Sequence, residues 1–394
     1  MPDTNIRRVE TLTAGDYEEL IPFLARAFGK DTPTWFAEKL AAVYQPTEES
    51  MSWNLAVRVN GRIAAVVGVV PLSLKLGSAR LRVAGIGGVS VDPDHRRLGL
   101  MRLLMDAAGE EIRSSGYDLS FLSGQRQRYR YFGWERAGVR HVARLDPANL
   151  RHELSGADPH GLSLAPVSAG DTKTLSAISD LLQQQPYRCE RDRAGVYHRL
   201  ACWGAVPHVV TDAGGRIVGY CALNTPQRIG DVHRAVEIVA DSTDRFVPLC
   251  RAIVELAGGP LDIELTPPVD DSTRRLLAIA ERWGTQPVGN WQILNWTTTT
   301  GALLAARATE GALPEGRVVV EIAGAARFEM SVGAGGPSVG ETGGPADITL
   351  SPTDALPVLF GPARPSAYTR IAGRAAILEA WCPFPLSLNH QDEV

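Results

Sequence analysis

The stretch Val89-Ser90-Val91-Asp92-Pro93-Asp94-His95-Arg96-Arg97-Leu98-Gly99-Leu100-Met101-Arg102 decides the fold. Val89-Ser90-Val91 reads as a short strand after the glycines at 85, 87 and 88. A helix follows, with Leu100, Leu103, Leu104 and Ala107 on one face at i, i+3, i+4 and i+7. Between strand and helix, Gly99 lets the backbone approach a ligand closely. The first N–H groups of the helix have no internal acceptor and point outward. The helix dipole makes that end positive, and Arg96, Arg97 and Arg102 add formal charge. This is a cradle for a pyrophosphate. It is no Walker A loop, because Gly-Lys-Ser/Thr is missing, and no G-x-G-x-x-G turn. An Arg-x-x-Gly alone reads equally as a solvated basic helix start. The context favours the ligand site: a strand before, an amphipathic helix after, then the strand Leu119–Leu122 and Tyr129.

The composition bounds the rest. The chain has 394 residues, which predicts two to three domains, and a net charge of −4, which argues against a strongly basic nucleic-acid binder. The longest apolar run, Ile63–Val70, stops at Pro71 and is far too short for a membrane span. The start, Met1-Pro2-Asp3-Thr4-Asn5, has no secretory pattern. Five scattered cysteines without a C-x-x-C pair read as free thiols in a reducing cytoplasm. The eight histidines show no metal spacing, so no metal is expected.

An internal repeat sets the domain organisation. Thr13-Ala14-Gly15-Asp16 recurs as Ser168-Ala169-Gly170-Asp171, each opening a helix that the hydroxyl residue can cap. Asn60-Gly61-Arg62-Ile63 recurs as Gly214-Gly215-Arg216-Ile217, each a hairpin turn between strands. The strands are Leu55–Val59 with Ile63–Val70, and His208–Thr211 with Ile217–Leu223. The reading is a tandem pair over residues 1–147 and 148–290. After 290 comes an α+β unit, 291–394, without the repeat. Ala302–Ala308, Pro352–Phe360 and Thr369–Ala380 read as its helices, Arg317–Ile322 and Ala326–Val332 as strands, with a glycine-rich stretch at Gly333–Gly344. The fold class is α/β, with mixed sheets in tandem before a smaller α+β domain.

Arg96-Arg97-Leu98-Gly99-Leu100, after Val89-Ser90-Val91-x-Pro93, resembles the acetyl-CoA motif of GCN5-related N-acetyltransferases (GNAT). The longer form His95-Arg96-Arg97-x-Gly99-Leu100-x-Arg102, with Tyr129-Arg130-Tyr131-Phe132-Gly133-Trp134, is similar to the enhanced intracellular survival (Eis) type. Met101 stands where the general motif has Gly or Ala. The resemblance implies an acetyl-CoA-binding GNAT domain, a second degenerate GNAT-like domain and a sterol-carrier-like C-terminal domain. It also implies a homo-oligomer, a hexamer in that family.

The resemblance also assigns residues. Val89, Ser90 and Val91 would line the pantetheine arm. Arg97, Leu98, Gly99, Leu100, Met101 and Arg102 would hold the pyrophosphate. Gly124 and Gln125 would lie beside acetyl-CoA, and Tyr129 would be the general acid. Chemistry supports that last role: a phenol of pKa ~10 and a leaving thiol of pKa ~8.5 are matched closely enough for proton donation. A packing role is the alternative, and Tyr131 fits it. The carboxylate of Val394 is implied as the base that deprotonates the amine. The family usually ends in an aromatic residue where this chain has Asp392-Glu393-Val394, and chain ends are commonly frayed, so both readings of Val394 stand.

In the second copy, Ala240-Asp241-Ser242-Thr243-Asp244-Arg245-Phe246-Val247-Pro248 keeps a helix start but has no glycine and adds acids that would repel pyrophosphate. That domain reads as structural. Phe28, Trp35 and Phe36 lie in the region that lines the acceptor cleft in the family, but aromatics at helical spacing are more often core. Arg188, Arg191 and Arg193 with Glu190 and Asp192 read as a solvated charge run. The function expected is direct acetyl transfer from acetyl-CoA to a primary amine, on an aminoglycoside- or polyamine-like small molecule or a lysine side chain. The competing reading is a non-catalytic acyl-CoA or lipid binding module.

Overall fold

The computed structural model describes residues 8–152, 161–225 and 232–394. Residues 8–152 run β1 (Val9–Thr11), α1 (Tyr17–Ala27), α2 (Trp35–Lys39), α3 (Glu48–Ser52), β2 (Asn54–Val59), β3 (Arg62–Leu76), β4 (Ala79–Val91), α4 (Leu100–Ser114), β5 (Leu119–Leu122), α5 (Arg126–Arg130), β6 (Glu135–Arg136), β7 (Arg140–Leu145) and α6 (Pro147–His152). The next part holds β8 (Ser163–Pro166), α7 (Thr172–Gln184), β9 (Tyr187–Cys189), α8 (Val196–Leu200), β10 (Val206–Thr211), β11 (Ile217–Asn224), β12 (His233–Ala240), α9 (Thr243–Ala257), β13 (Leu261–Leu265), α10 (Asp271–Ile279), β14 (Arg282–Gln286) and β15 (Asn290–Ile293). The last part holds α11 (Trp296–Thr309), β16 (Gly316–Ile322), β17 (Ala326–Gly333), β18 (Gly336–Glu341), β19 (Ile348–Leu350), α12 (Pro352–Phe360) and α13 (Leu378–Trp381).

Three sheets result. The first has the order β1-β2-β3-β4-β5-β15-β6, with β9 on the far end of β3; the second is β14-β7-β13-β12-β11-β10-β8; the third is β18-β17-β16-β19. The repeat is visible in space. In the first sheet a hairpin, β3–β4, leads through α4 to the parallel strand β5. In the second sheet the hairpin β11–β12 leads through α9 to the parallel strand β13. The architecture is mixed α/β with two such units in tandem. Strands are exchanged between them: β7 pairs with β13 and β14 in the second sheet, while β15 inserts between β5 and β6 in the first.

Local details differ from expectation for identifiable reasons. β3 does not end at Pro71 but continues to Leu76. Pro71 falls in the gap between the pairing of β3 with β2, which ends at Gly68, and with β9, which begins at Leu74, so its missing N–H costs no ladder bond there. The glycine-rich stretch carries β18, a hairpin partner of β17. The expected helix Thr369–Ala380 is α-helical only from residue 378, where α13 (Leu378–Trp381) begins; Gly373, at φ 60°, opens a 3-10 segment instead. In the second repeat the cap of α7 is Asp171, whose side chain accepts from the Thr174 N–H, and not Ser168. All five cysteines are free and buried. Among the described residues no helix is long and apolar enough to cross a membrane.

Candidate active site

The site begins with a defect in β4. Opposite β3, Gly68 pairs with Gly87 but Val66 pairs with Ser90, so β4 carries an extra residue at Gly88–Val89. Such a bulge bends a strand and increases its twist. Gly88 sits at φ 60°, and a β-carbon there would meet the Tyr44 hydroxyl at 2.6 Å. On the other side, β4 pairs with β5 only from Val83–Leu119 to Ile86–Leu122. Beyond that pair the two strands part. Val89, Ser90 and Val91 therefore lie on an arm whose β5-facing edge has no strand partner among the described residues, with Ser90 Oγ donating to the Gly88 carbonyl (2.9 Å).

The loop that follows is built for an anion. Asp92 caps the 3-10 turn Pro93–His95 through the Asp94 N–H and pairs with Arg26 at 3.0 Å. Arg97 (φ 67°) and Gly99 (φ 76°) are both left-handed. The first helical amide with a backbone acceptor is Leu103, which donates to Gly99 (3.1 Å), leaving the N–H groups of Leu100, Met101 and Arg102 directed out of the helix end. Arg96, Arg97 and Arg102 are exposed, and among the described residues none forms an ion pair. Arg102 lies over the Tyr131 ring at 4.8 Å. Leu100 is buried and anchors the helix, whereas Leu98 is exposed. Beside α4 runs an open groove of about 480 Å³ lined by Arg102, Asp106, Arg113, Tyr131, Trp134 and Gln292.

Tyr129 stands on α5, just past the end of β5, and is 7% exposed. Its ring lies against Gly124, where a β-carbon would come within 2.6 Å of Cε2. Burial pushes its phenol above the ordinary value, and Arg128 partly offsets this. The helix is pinned by Glu135, whose buried carboxylate takes Arg126 Nη2 at 2.8 Å and Arg130 Nε at 2.9 Å. Gln125 is exposed at the N-cap of α5. From the exchanged strand β15, the buried Asn290 donates to the carbonyls of Leu122 (3.4 Å) and Gly124 (3.2 Å), fixing the end of β5.

Val394 is seated, not frayed. It is 7% exposed, and it fills the space that glycines leave on β4. A β-carbon on Gly87 would stand 2.9 Å from the Val394 carboxyl carbon, and one on Gly85 would stand 2.7 Å from its Cγ2. Tyr129 thus packs at the end of β5 and Val394 on β4 where the two strands begin to part. The residues Gly85, Gly87, Gly88, Tyr44 and Asn290 were not singled out as functional by sequence reasoning. The closely spaced glycines of β4 are the one signal that could have shown them. The charge run at 188–193 is a solvated face only in part: Asp192 and Arg193 are exposed, but the Arg191 side chain is 2% exposed and bound to Glu237 and Asp392. Its partners come from distant parts of the chain, so charge patterning alone misreads it.

Aromatic residues continue from this point outward. Tyr44 meets Phe36 at 5.5 Å, Phe36 meets Phe28 and Trp35 at 5.2 and 5.1 Å, and Trp35 faces Trp203 of the second domain at 6.3 Å. Phe36 is core, as apolar residues at helical spacing usually are, while Phe28 is 44% exposed. In the second domain the corresponding helix start has Asp241 bound to Arg245 (2.6 Å). Burial pushes the thiols of all five cysteines above their ordinary value, which leaves them poor nucleophiles. Among the described residues no cluster of potential metal ligands occurs.

Residues 8–137 match the family model of the acetyltransferase (GNAT) domain. No curated protein matches the chain in sequence. The fold is similar to that of Eis1 from Mycobacterium abscessus, at 18% identity over 98% of each chain and a TM-score of 0.65. It is also similar to a GCN5-related N-acetyltransferase from Anabaena variabilis, at 17% identity, 97% of this chain, 98% of that one and a TM-score of 0.66. A third, a GCN5-related N-acetyltransferase from Kribbella flavida, gives 19% identity, 89% and 87% coverage and a TM-score of 0.61. The chain carries a GNAT N-acetyltransferase domain and is an enzyme of acyl transfer.

Proposed function

We propose that the protein transfers an acetyl group from acetyl-CoA directly to a primary amine at the splay between β4 and β5. The observations that support this reading are the parting of β4 and β5 beyond Ile86–Leu122, the cation-bearing loop that follows β4, the packing of Tyr129 on Gly124 at the end of β5, and the packing of Val394 on Gly85 and Gly87 of β4. The pantetheine amides would pair with the free edge at Val89, Ser90 and Val91. The pyrophosphate would sit on the outward N–H groups and guanidinium groups from Arg97 to Arg102, where helix dipole and formal charge add. The groove beside Arg102 and Tyr131 would take the adenosine end. Gly124 and Gln125 would border the thioester.

In the transfer, the amine nitrogen attacks the thioester carbonyl carbon and forms the new C–N bond. The C–S bond breaks, and the departing thiolate takes the proton of the Tyr129 phenol. The ammonium proton goes to the carboxylate of Val394, which packs on β4. Burial of Tyr129 keeps the phenol protonated until sulfur develops charge. No cysteine is available to form an acyl intermediate. The acceptor would be a primary amine of the aminoglycoside or polyamine kind, with a lysine side chain as the alternative. The last part of the chain serves as a sterol-carrier-like scaffold that delivers Val394. By resemblance the protein is a homo-oligomer of the cytoplasm.

The test is thiol release from acetyl-CoA with a panel of aminoglycosides, polyamines and lysine peptides, run with Tyr129→Phe alongside. Turnover with one amine class, lowered roughly 100-fold or more in the variant, is the expected result. Undiminished turnover in Tyr129→Phe removes the phenol as the acid. Absence of release with every amine, despite tight acetyl-CoA binding, favours the binding-module reading.

A further inference from the structure

The second domain has no anion cradle, yet it holds the most deeply buried ion cluster of the described residues. Arg191 follows β9. Its Nε and Nη2 donate to Asp392 Oδ1 and Oδ2, both at 2.8 Å. Its Nη1 and Nη2 donate to Glu237 Oε1 (2.9 Å) and Oε2 (2.6 Å). Side-chain exposure is 2% for Arg191, 2% for Glu237 and 1% for Asp392. Glu237 lies on β12, in the middle of the second sheet, and also accepts from Tyr220 Oη (2.7 Å) and Asn389 Nδ2 (3.0 Å). One planar guanidinium therefore bridges a sheet of the second domain to a residue two positions before Val394.

Other bonds fix the approach to this point. Arg140 donates to the Leu388 carbonyl (3.0 Å) and to Glu393 (2.8 Å), and Gln391 Nε2 donates to the Leu200 carbonyl (2.5 Å). Arg140 is two-sided as well, since it pairs with Glu264 of β13 at 3.2 Å, but among the described residues the Arg191 fork is the one that makes paired bonds both to a carboxylate on the sheet and to one on the tail. A Lys could not reproduce it, because bidentate pairing to two carboxylates needs the rigid fork.

We infer that Arg191 is a positioning residue for acyl transfer: anchored on Glu237, it holds Asp392 and thereby seats the end of the chain on Gly85 and Gly87. This rests on the reading of the β4–β5 splay as the transfer site. It gives the second domain a task in the reaction that requires no ligand of its own.

A buried ion pair need not stabilise a fold, and removing one partner of a simple pair usually destabilises it. Here one guanidinium faces two carboxylates. Asp392→Asn leaves Arg191 paired with Glu237, one charge on one, and releases only the tail. The test compares the full-length protein with Asp392→Asn and Arg191→Lys by hydrogen exchange and by thiol release. In Asp392→Asn the amides of residues 386–394 should exchange at least tenfold faster while β12 and α4 keep their protection. The kcat should fall at least tenfold with the KM for acetyl-CoA within twofold, and Arg191→Lys should lie between. Wild-type exchange in the tail overturns the inference, and so does a loss of protection that spreads equally through β12. Faster tail exchange with unchanged kcat also overturns it. If no variant and no wild-type sample releases thiol, the transfer reading fails, and the exchange result still decides whether Arg191 seats the tail. Should Asp392→Asn not fold, Arg191→Lys carries the same comparison.

Discussion

Gly87→Ala probes the seat of Val394 with a single methyl group. The position lies inside β4 and not in the left-handed region, so alanine suits the backbone. Its β-carbon would stand 2.9 Å from the Val394 carboxyl carbon. Two carbons in contact need about 3.5 Å, so the carboxyl must retreat by roughly 0.6 Å. A displacement of ~1 Å at a reacting group can lower a rate by ~100-fold, which puts this one near tenfold, or about 1.4 kcal/mol in the barrier. Fold stability should change by less than about 1 kcal/mol, because a terminal residue can yield. The assay is steady-state thiol release, with kcat reduced and the KM for acetyl-CoA unchanged. A matched control sharpens it. A β-carbon on Gly85 would meet Val394 Cγ2 at 2.7 Å, and Val394→Ala deletes that atom. Val394→Ala should therefore restore Gly85→Ala in part, since Leu72 Cδ1 still stands 3.2 Å from that β-carbon, and leave Gly87→Ala impaired, since the latter meets a main-chain atom. A Gly87→Ala enzyme with full kcat, or one restored by Val394→Ala, would refute the reasoning.

Three further outcomes follow from the same geometry. Arg97→Gly relieves a left-handed side-chain residue and should stabilise the fold by about 1 kcal/mol, yet raise the KM for acetyl-CoA roughly tenfold by removing a cation from the cradle; thermal unfolding and kinetics with opposite signs would show it. Burial raises the Tyr129 phenol, so no alkaline limb below about pH 10 belongs to this group; because its folded value exceeds its unfolded one, its stability contribution is present at lower pH and is lost as pH rises through the folded value, and an ultraviolet titration against Tyr129→Phe reads this directly. Burial alone would raise the Glu393 carboxyl, but His390 and Arg140 outweigh it and hold it below the ordinary value. Its contribution is thus present above about pH 4.3 and is lost as pH falls through the folded value, so hydrogen exchange in residues 386–394 should accelerate there before β3 and β4 open.

What the sequence discloses is what is local. Leu119–Leu122 and Pro352–Phe360 are bounded where the residues suggest, because apolar pattern and flanking polar residues coincide. The turn before α4 is legible from Gly99 and its arginines, since a helix start and its cap are set within a few residues. The exchange of β7 and β15 leaves no mark on periodicity: either strand would suit either sheet by composition, and partner choice is a tertiary matter. The same holds for Arg191, whose partners lie 46 and 201 positions away. Nor does the seat of Val394 announce itself, because a glycine in a strand signals space without saying what fills it.

The exchange of strands has a consequence for the chain as a folding object. A fragment ending after β7 would lack β15 and leave β5 as a bare edge, while β7 would have no sheet to join. Such edges recruit foreign strands. Neither half can therefore be complete until the other has been made, and emergence of the first 150 or so residues from the ribosome is not the moment at which the first unit closes. The two repeats, though alike in plan, are mutually templated: each sheet is completed by a strand from the other's stretch of chain.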